Sequence, residues 1–288
     1  MLELRPAVVE TNRDEDVCAI RSDVVRWRNE RPMHPRRVRR EDRPTLPRSV
    51  REFPTHPAGS PPNRLLGLLS PHVHARLEPH FEPVHLHRKE VLFRSHEPLT
   101  VVYFPNTAVV SLVSTLESGE SLEVGLVGRD GLAGTAIFPG ITTMSCDGVV
   151  QIEGAAQRIR AEVLRREVLA DETLHSAIRR FAQVLLARSM QMSVCNVFHS
   201  VEQRCARWLL TVSDLINDSH IPLTHDLMAA MLGVRRPTVT VVLRSLHNAG
   251  LVKETRGLIL IQNRRCLETV CCECYRVMQD EQRRLLGY

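Results

Sequence analysis

The chain has 288 residues, 43% hydrophobic and 25% charged, a mixture expected of a soluble globular protein of about two domains. Seventeen Pro and 14 Gly exclude collagen-like and low-complexity classes, the 4% aromatic share argues against a base-stacking surface, and there is no run of 18 apolar residues to span a membrane. Net charge is +5, and all but two of the 38 basic residues, Lys89 and Lys253, are arginine, whose planar fork suits phosphates and guanine edges.

Residues 1–62 read as a disordered Arg/Pro-rich tail in which no apolar period persists, and Met33 is an alternative starting methionine. From Asn63 to Ala170 the pattern is that of a β-roll domain. Short apolar runs at Phe81–Leu86, Glu90–Phe93, Thr100–Phe104, Ala108–Thr115, Leu122–Leu126 and Val149–Ile152 are broken by Pro, Asn and Gly, which predicts closely spaced strands of a roll or barrel. A short helix is expected over Arg160–Ala170. His85 and His87 alternate to one strand face, where solvent exposure is the simpler expectation than metal or haem ligation.

Residues 171–198 carry helical period. Leu174, Ile178, Phe181, Leu185, Met192 and Cys195 form a seam stepped by four and three, interrupted only by Arg188, and predict a dimerisation helix; packing of the helix on its own β domain is the alternative. Residues 199–268 give the sharpest pattern. A helix over Ser200–Leu215 is followed by the extended Ile221-Pro222-Leu223, a helix His225–Leu232 capped by Thr224, and a tight turn at Gly233-Val234. A second helix then begins near Pro237 and stops at Asn248-Ala249-Gly250. Leu251–Lys253 and Leu258–Ile261 predict a hairpin. Helix, turn, helix and hairpin make a winged helix-turn-helix. The second helix is expected to bury Val239, Val242, Leu243 and Leu246 and to turn Arg236, Thr238, Thr240, Val241 and Arg244 outward. The stretch 221–265 alone carries a charge of +5, equal to that of the whole chain. A helix of this kind fits the DNA major groove, with residues near its N-terminus on base edges. Arg235, Arg236, Pro237, Thr238, Thr240, Arg244, Lys253 and Arg256 are therefore the candidate DNA-binding residues, with Arg236 the foremost candidate for a base contact and Arg235 and Arg244 phosphate clamps.

Residues 269–288 are expected to form a C-terminal Cys-containing helix. The cysteines read as reduced thiols rather than a disulfide framework, because no export signal is evident. Cys271, Cys272 and Cys274 follow Cys266, and on one continuous helix Cys271 and Cys274 would share a face that excludes Cys272. Cys266, Cys271 and Cys274 are thus weak metal candidates, packing as small apolar groups is the simpler reading, and no metal site is expected. Neither a nucleophile elbow nor a Cys–His catalytic spacing is present, so an enzyme is not expected.

A glycine-punctuated β-roll, a long helix and a winged helix containing MLGVRRPTVTVVLRSLHNAGLV together resemble the Crp/Fnr family of bacterial transcription regulators over about residues 63–268. The resemblance implies an α+β chain: an N-terminal β-roll (a cyclic-nucleotide-binding-like jelly roll), a long dimerisation helix and a C-terminal winged helix-turn-helix. It further implies a cytoplasmic homodimer that senses a small signal, with double-stranded DNA, a second copy of itself and RNA polymerase as partners and no membrane. The implied ligand pocket falls on Gly131, Gly134, Thr135, Met144 and Ser145. In the cyclic-AMP-binding members a Glu follows a Gly and an Arg adjoins a Ser, whereas here Gly134-Thr135 and Met144-Ser145 stand at those places. Cyclic AMP is therefore not expected, and with only Cys18 ahead of the roll neither is the iron–sulfur cluster of other members. The recognition helix has Arg236-Pro237 and Val241 where such regulators often carry Arg-Glu and a second Arg, so a different operator is expected. The rival reading is a small-molecule or redox sensor that acts through a protein partner.

Overall fold

Strand-forming runs in the first half of the chain close into two antiparallel sheets, as seen in a computed structural model that describes residues 63–288 apart from Pro139. The expected tail, 1–62, lies outside the described residues. After α1 (Pro71–Leu77) come β1 (Glu82–Leu86), β2 (Val91–Phe93), β3 (Val101–Pro105), β4 (Val109–Thr115), β5 (Ser121–Val127), β6 (Asp147–Ile152) and β7 (Gly154–Arg160). They pair in the orders β1-β7-β3 and β2-β6-β4-β5. Alternate residues of the strands point inward, so Leu86, Phe93, Val102, Phe104, Val110, Leu112, Val150 and Ile159 fill one core. Asn63 closes the entrance of the roll. Its buried amide donates to the carbonyls of Pro105 and Gly131, and its side-chain oxygen accepts from the backbone of Leu65 and Leu66.

All six expected strands form. A seventh, β7, is an addition: its sequence GAAQRIR contains only one β-branched residue, yet it is the central strand of its sheet, registered on β1 and β3. Tertiary pairing has overridden weak propensity here.

Helix α2 (Ala161–Ala170) and the 27-residue α3 (Glu172–Phe198) follow, the latter started by Asp171, whose carboxylate accepts from the backbone N–H groups of Thr173 and Leu174. The structure corrects the seam expected on this helix. Leu174, Ile178, Phe181 and Leu185 belong to the core of this chain's own β-roll, and Met192 and Cys195 are buried as well. The alternative of a helix packed on its own β domain is the one realised by the first four of these residues. The apolar side chains that α3 leaves exposed are Leu186, Met190, Val194, Val197 and Phe198.

Arg188, the residue that interrupts the apolar seam, is buried and paired. Its guanidinium lies 2.7 Å from a carboxylate oxygen of Asp130 in the loop after β5 and also donates to Gln282 of α8 (Cys274–Leu286). Tyr288 reaches the same loop, its hydroxyl donating to the Asp130 carbonyl at 2.7 Å. The C-terminal helix is thereby fastened along α3. Removing one partner of a buried pair leaves the other charge without compensation, at a cost of about 3–5 kcal/mol. Arg188→Leu is expected to lose about that much in equilibrium urea unfolding, and a loss under 1 kcal/mol would show that the pair contributes no net stability.

Candidate nucleic-acid interface

A reciprocal cap starts the second half: Ser200 accepts from the backbone of Gln203 while the Gln203 side chain accepts from the backbone of Ser200. Helix α4 (Val201–Ile216) buries Cys205, Trp208, Leu209 and Val212. After β8 (His220–Ile221), helix α5 (His225–Leu232) is capped by Thr224 and ends at Gly233, whose φ of +63° places it in the left-handed region that favours glycine. Arg204 of α4 donates to the carbonyl of Leu232 and so braces that end. Arg235, extended, precedes α6 (Arg236–Asn248), and Pro237 sits in its first turn, where a missing N–H costs nothing. Val239, Leu243 and Leu246 are buried, whereas Val242, expected with them, is only half-buried. Strands β9 (Val252–Thr255) and β10 (Leu258–Ile261) form the wing, with β8 added to β10 so that the sheet runs β8-β10-β9.

Arg235, Arg236, Pro237, Thr238 and Arg244 are exposed on α6 and its start, and Lys253 and Arg256 are exposed on the wing. The positive end of the α6 dipole lies at Arg236–Thr238, where it favours a phosphate. Arg236 also lies 3.5 Å from Asp226, but both side chains are largely exposed, and such a pair holds an arginine weakly. Thr240 differs from the other candidates. It is half-buried, 2.9 Å from His225 Nδ1, and it donates to the carbonyl of Arg236. The other nitrogen of His225, Nε2, lies 2.6 Å from Glu254 in the wing. His225 therefore joins α5, α6 and the wing, with Thr240 as its contact on α6. No sequence spacing announces this three-way joint.

Beneath the motif lies a second feature that the sequence does not announce. Glu123 of β5 is 1% exposed. It accepts from Trp208 Nε1 of α4 at 3.0 Å and from Ser111 of β4 at 2.7 Å. Met231 of α5 also contacts Ser111, a Cβ on Gly233 would meet Leu122, and a Cβ on Gly128 would strike Leu215. The helix-turn-helix thus rests directly on the roll.

The implied ligand-pocket residues are only partly brought together. Gly134 has a φ of +107°, and Thr135 donates to the Met144 sulfur at 3.8 Å. Gly131 instead lies under Phe181 of α3, and Ser145 is exposed. Arg165 of α2 approaches the loop and donates to the carbonyls of Leu99 and Ala136. His85 and His87 are exposed.

The tail cysteines do not share one helix. Helix α7 (Arg264–Val270) ends at Cys271, whose backbone is extended, and α8 begins at Cys274. The expected pairing of Cys271 with Cys274 is corrected: Cys274 lies with Cys272, Cys195 and His199, while Cys271 donates to the carbonyl of Cys272 and Cys266 is buried in α7 outside that group. Cys195, expected in a dimer seam, faces Cys272 at 3.5 Å. Cys146, Cys195, Cys205, Cys271, Cys272 and Cys274 are free thiols.

Residues 203–270 match the family described as the Crp-like helix-turn-helix domain. FixK2 from Bradyrhizobium japonicum has a similar structure, with 16% identity and a TM-score of 0.58 over 67% of this chain and 98% of that one. A transcriptional regulator of the Crp/Fnr family from Eubacterium rectale gives 17% and 0.55 over 72% and 96%. The c-di-GMP-responsive global regulator CLP of Xanthomonas campestris gives 17% and 0.55 over 67% and 100%. No match appears among curated protein sequences. Residues 203–270 thus carry a Crp-like helix-turn-helix domain, and the described residues share their fold with these structures. Among the described residues, no helix is long and apolar enough to cross a membrane.

Burial between the domains raises the Glu123 carboxyl from 4.5 to about 7, against the opposing effects of the Ser111 hydrogen bond, the Arg207 charge and the Trp208 hydrogen bond. A raised carboxyl pKa means that the folded state holds the proton more tightly than the unfolded one. Stability therefore falls as pH rises from about 4.5 to about 7, and the cost is complete above that window. Glu123→Gln is expected to raise stability above pH 7 by an amount on the order of 3 kcal/mol and to change little near pH 4. Thermal melts at both pH values decide this, and an equal shift at the two would remove the titration from the explanation.

Proposed function

We propose that the chain is a homodimeric, cytoplasmic regulator that reads a two-fold symmetric DNA site through α6 and is switched by a signal received in the β-roll. The observation that carries the reading is the exposed arginine set at the start of α6, on a helix held clear of the core by its buried face Val239, Leu243 and Leu246. Arg236 is assigned to a base edge, and Arg235, Arg244, Lys253 and Arg256 to phosphates. RNA polymerase is the further partner of such a regulator.

Dimerisation is assigned to the exposed stripe of α3. Leu186, Met190, Val194 and Val197 are spaced by four, four and three, which keeps them on one face, and each is about half exposed or more. Half-sites would then lie about one helical turn apart. For the signal, the reading excludes cyclic AMP. Thr135 and Met144 supply no carboxylate for a ribose and no cation for a phosphate, and Arg165 is engaged with backbone carbonyls. A buried phosphate without a fixed cation is costly.

Selection from a random duplex pool at about 150 mM salt, where non-specific binding is weak, is expected to return a two-fold symmetric motif. Arg236→Ala is expected to lose about 1–3 kcal/mol on that motif and to relax preference at one base pair. Parental affinity and selectivity in that variant would overturn the assignment. For the seam, Leu186→Asp is expected to sediment as a monomer where the parent sediments as a dimer, and a dimeric variant would move the interface elsewhere.

A further inference from the structure

We propose that Cys195, His199, Cys272 and Cys274 form a tetrahedral site for a single zinc-class divalent ion that fastens the start of the C-terminal helix to the corner between α3 and α4. The four ligand atoms lie within 4.8 Å of one another. Two of the spacings, Cys195 Sγ to Cys272 Sγ and Cys274 Sγ to His199 Nδ1, are 3.5 Å. With metal–sulfur and metal–nitrogen bonds near 2.3 and 2.0 Å, a tetrahedral site has ligand-to-ligand edges of about 3.4–3.8 Å, so these spacings fit one ion. An iron–sulfur cluster spreads its four protein ligands over two or more irons and so needs some of them farther apart.

The surroundings are those of a ligand set rather than of thiols used as small apolar filler. Cys195, Cys272 and Cys274 are all buried and form a cluster of their own, separate from the aliphatic core. His199 points Nδ1 toward Cys274, and its Nε2 lies 3.2 Å from the Glu273 carboxylate. That is the carboxylate–histidine pairing that orients an imidazole on a metal and fixes its tautomer. Gln191 of α3 donates an N–H to the Cys274 sulfur at 3.1 Å. Three thiolates and a divalent cation leave one net negative charge. The guanidinium groups of Arg204 and Arg207, both largely buried, lie close enough to Cys195 to interact electrostatically and offset it. Soft thiolate ligands in tetrahedral geometry select zinc over oxygen-seeking cations.

The position gives the ion its role. Cys195 is in the last turn of α3, His199 caps that helix, and Ser200 begins α4. Cys272 and Cys274 come from the break between α7 and α8. One ion would therefore fix the angle at which the long helix hands over to the DNA-binding domain. Its binding would release the protons of the three thiols.

Cobalt(II) titration of the full chain, stripped of metal with a chelator and kept reduced, tests the site. One equivalent is expected to bind with thiolate charge-transfer absorption and the intense visible bands of tetrahedral cobalt, and zinc is expected to displace it. Cys272→Ser should lose that spectrum, whereas Cys271→Ser, which alters the neighbouring thiol, should keep it. Glu273→Gln, at an exposed carboxylate whose loss leaves folding intact, should weaken cobalt binding about 10–100-fold. Failure of the parent chain to take up one equivalent, an octahedral spectrum, or unchanged affinity in Glu273→Gln together with equal behaviour of the two serine variants would overturn the proposal.

Discussion

Phe181 lies directly on the α-carbon of Gly131, so closely that a Cβ built there would come within 1.9 Å of the ring. That contact sets the axis of α3 against the roll, and much of the remaining architecture follows from it. With one face committed to the roll core, Arg188 comes to lie beside Asp130, where a buried carboxylate and guanidinium compensate each other. A second face receives α8 through Arg188 and Gln191. What remains is a third face, exposed and apolar from Leu186 to Val197, and that face is what the helix can offer to another molecule.

Local signals predicted local structure well. Thr224, Gly233 and Pro237 each act through the conformation of a few neighbouring residues, and the helix-turn-helix falls where they put it. The six apolar runs became strands because each carries its own β-branched or aromatic residues. The failures are of another kind. β7 is a strand because two partners hold it, not because GAAQRIR prefers to be one. On α3 the sequence shows an apolar stripe but carries no information about which surface covers it, and the roll claimed Leu174, Ile178, Phe181 and Leu185, residues assigned to a second copy.

The candidate site divides in the same way. The outward arginines of α6 are legible because helical period alone separates them from Val239, Leu243 and Leu246. The joint made by His225, Thr240 and Glu254 is not legible, since it draws one residue from each of three elements. The same holds for Cys195 and Cys272, 77 positions apart, which meet only once α8 has folded back on α3. A reading confined to the tail could see Cys271, Cys272 and Cys274 but not the extended backbone at Cys271 that turns Cys272 toward the long helix.

The resting place of the helix-turn-helix has a genetic consequence. Leu122 lies against the turn at Gly233, Ser111 against Met231, and Glu123 against Trp208, so the floor of the DNA-binding domain is contributed by β4 and β5 of the roll. Alleles that alter those three residues change the seat of the helix-turn-helix without touching any residue of that motif. In a collection of mutants they would sort with lesions in the helix-turn-helix, although they map to the half of the gene that encodes the roll.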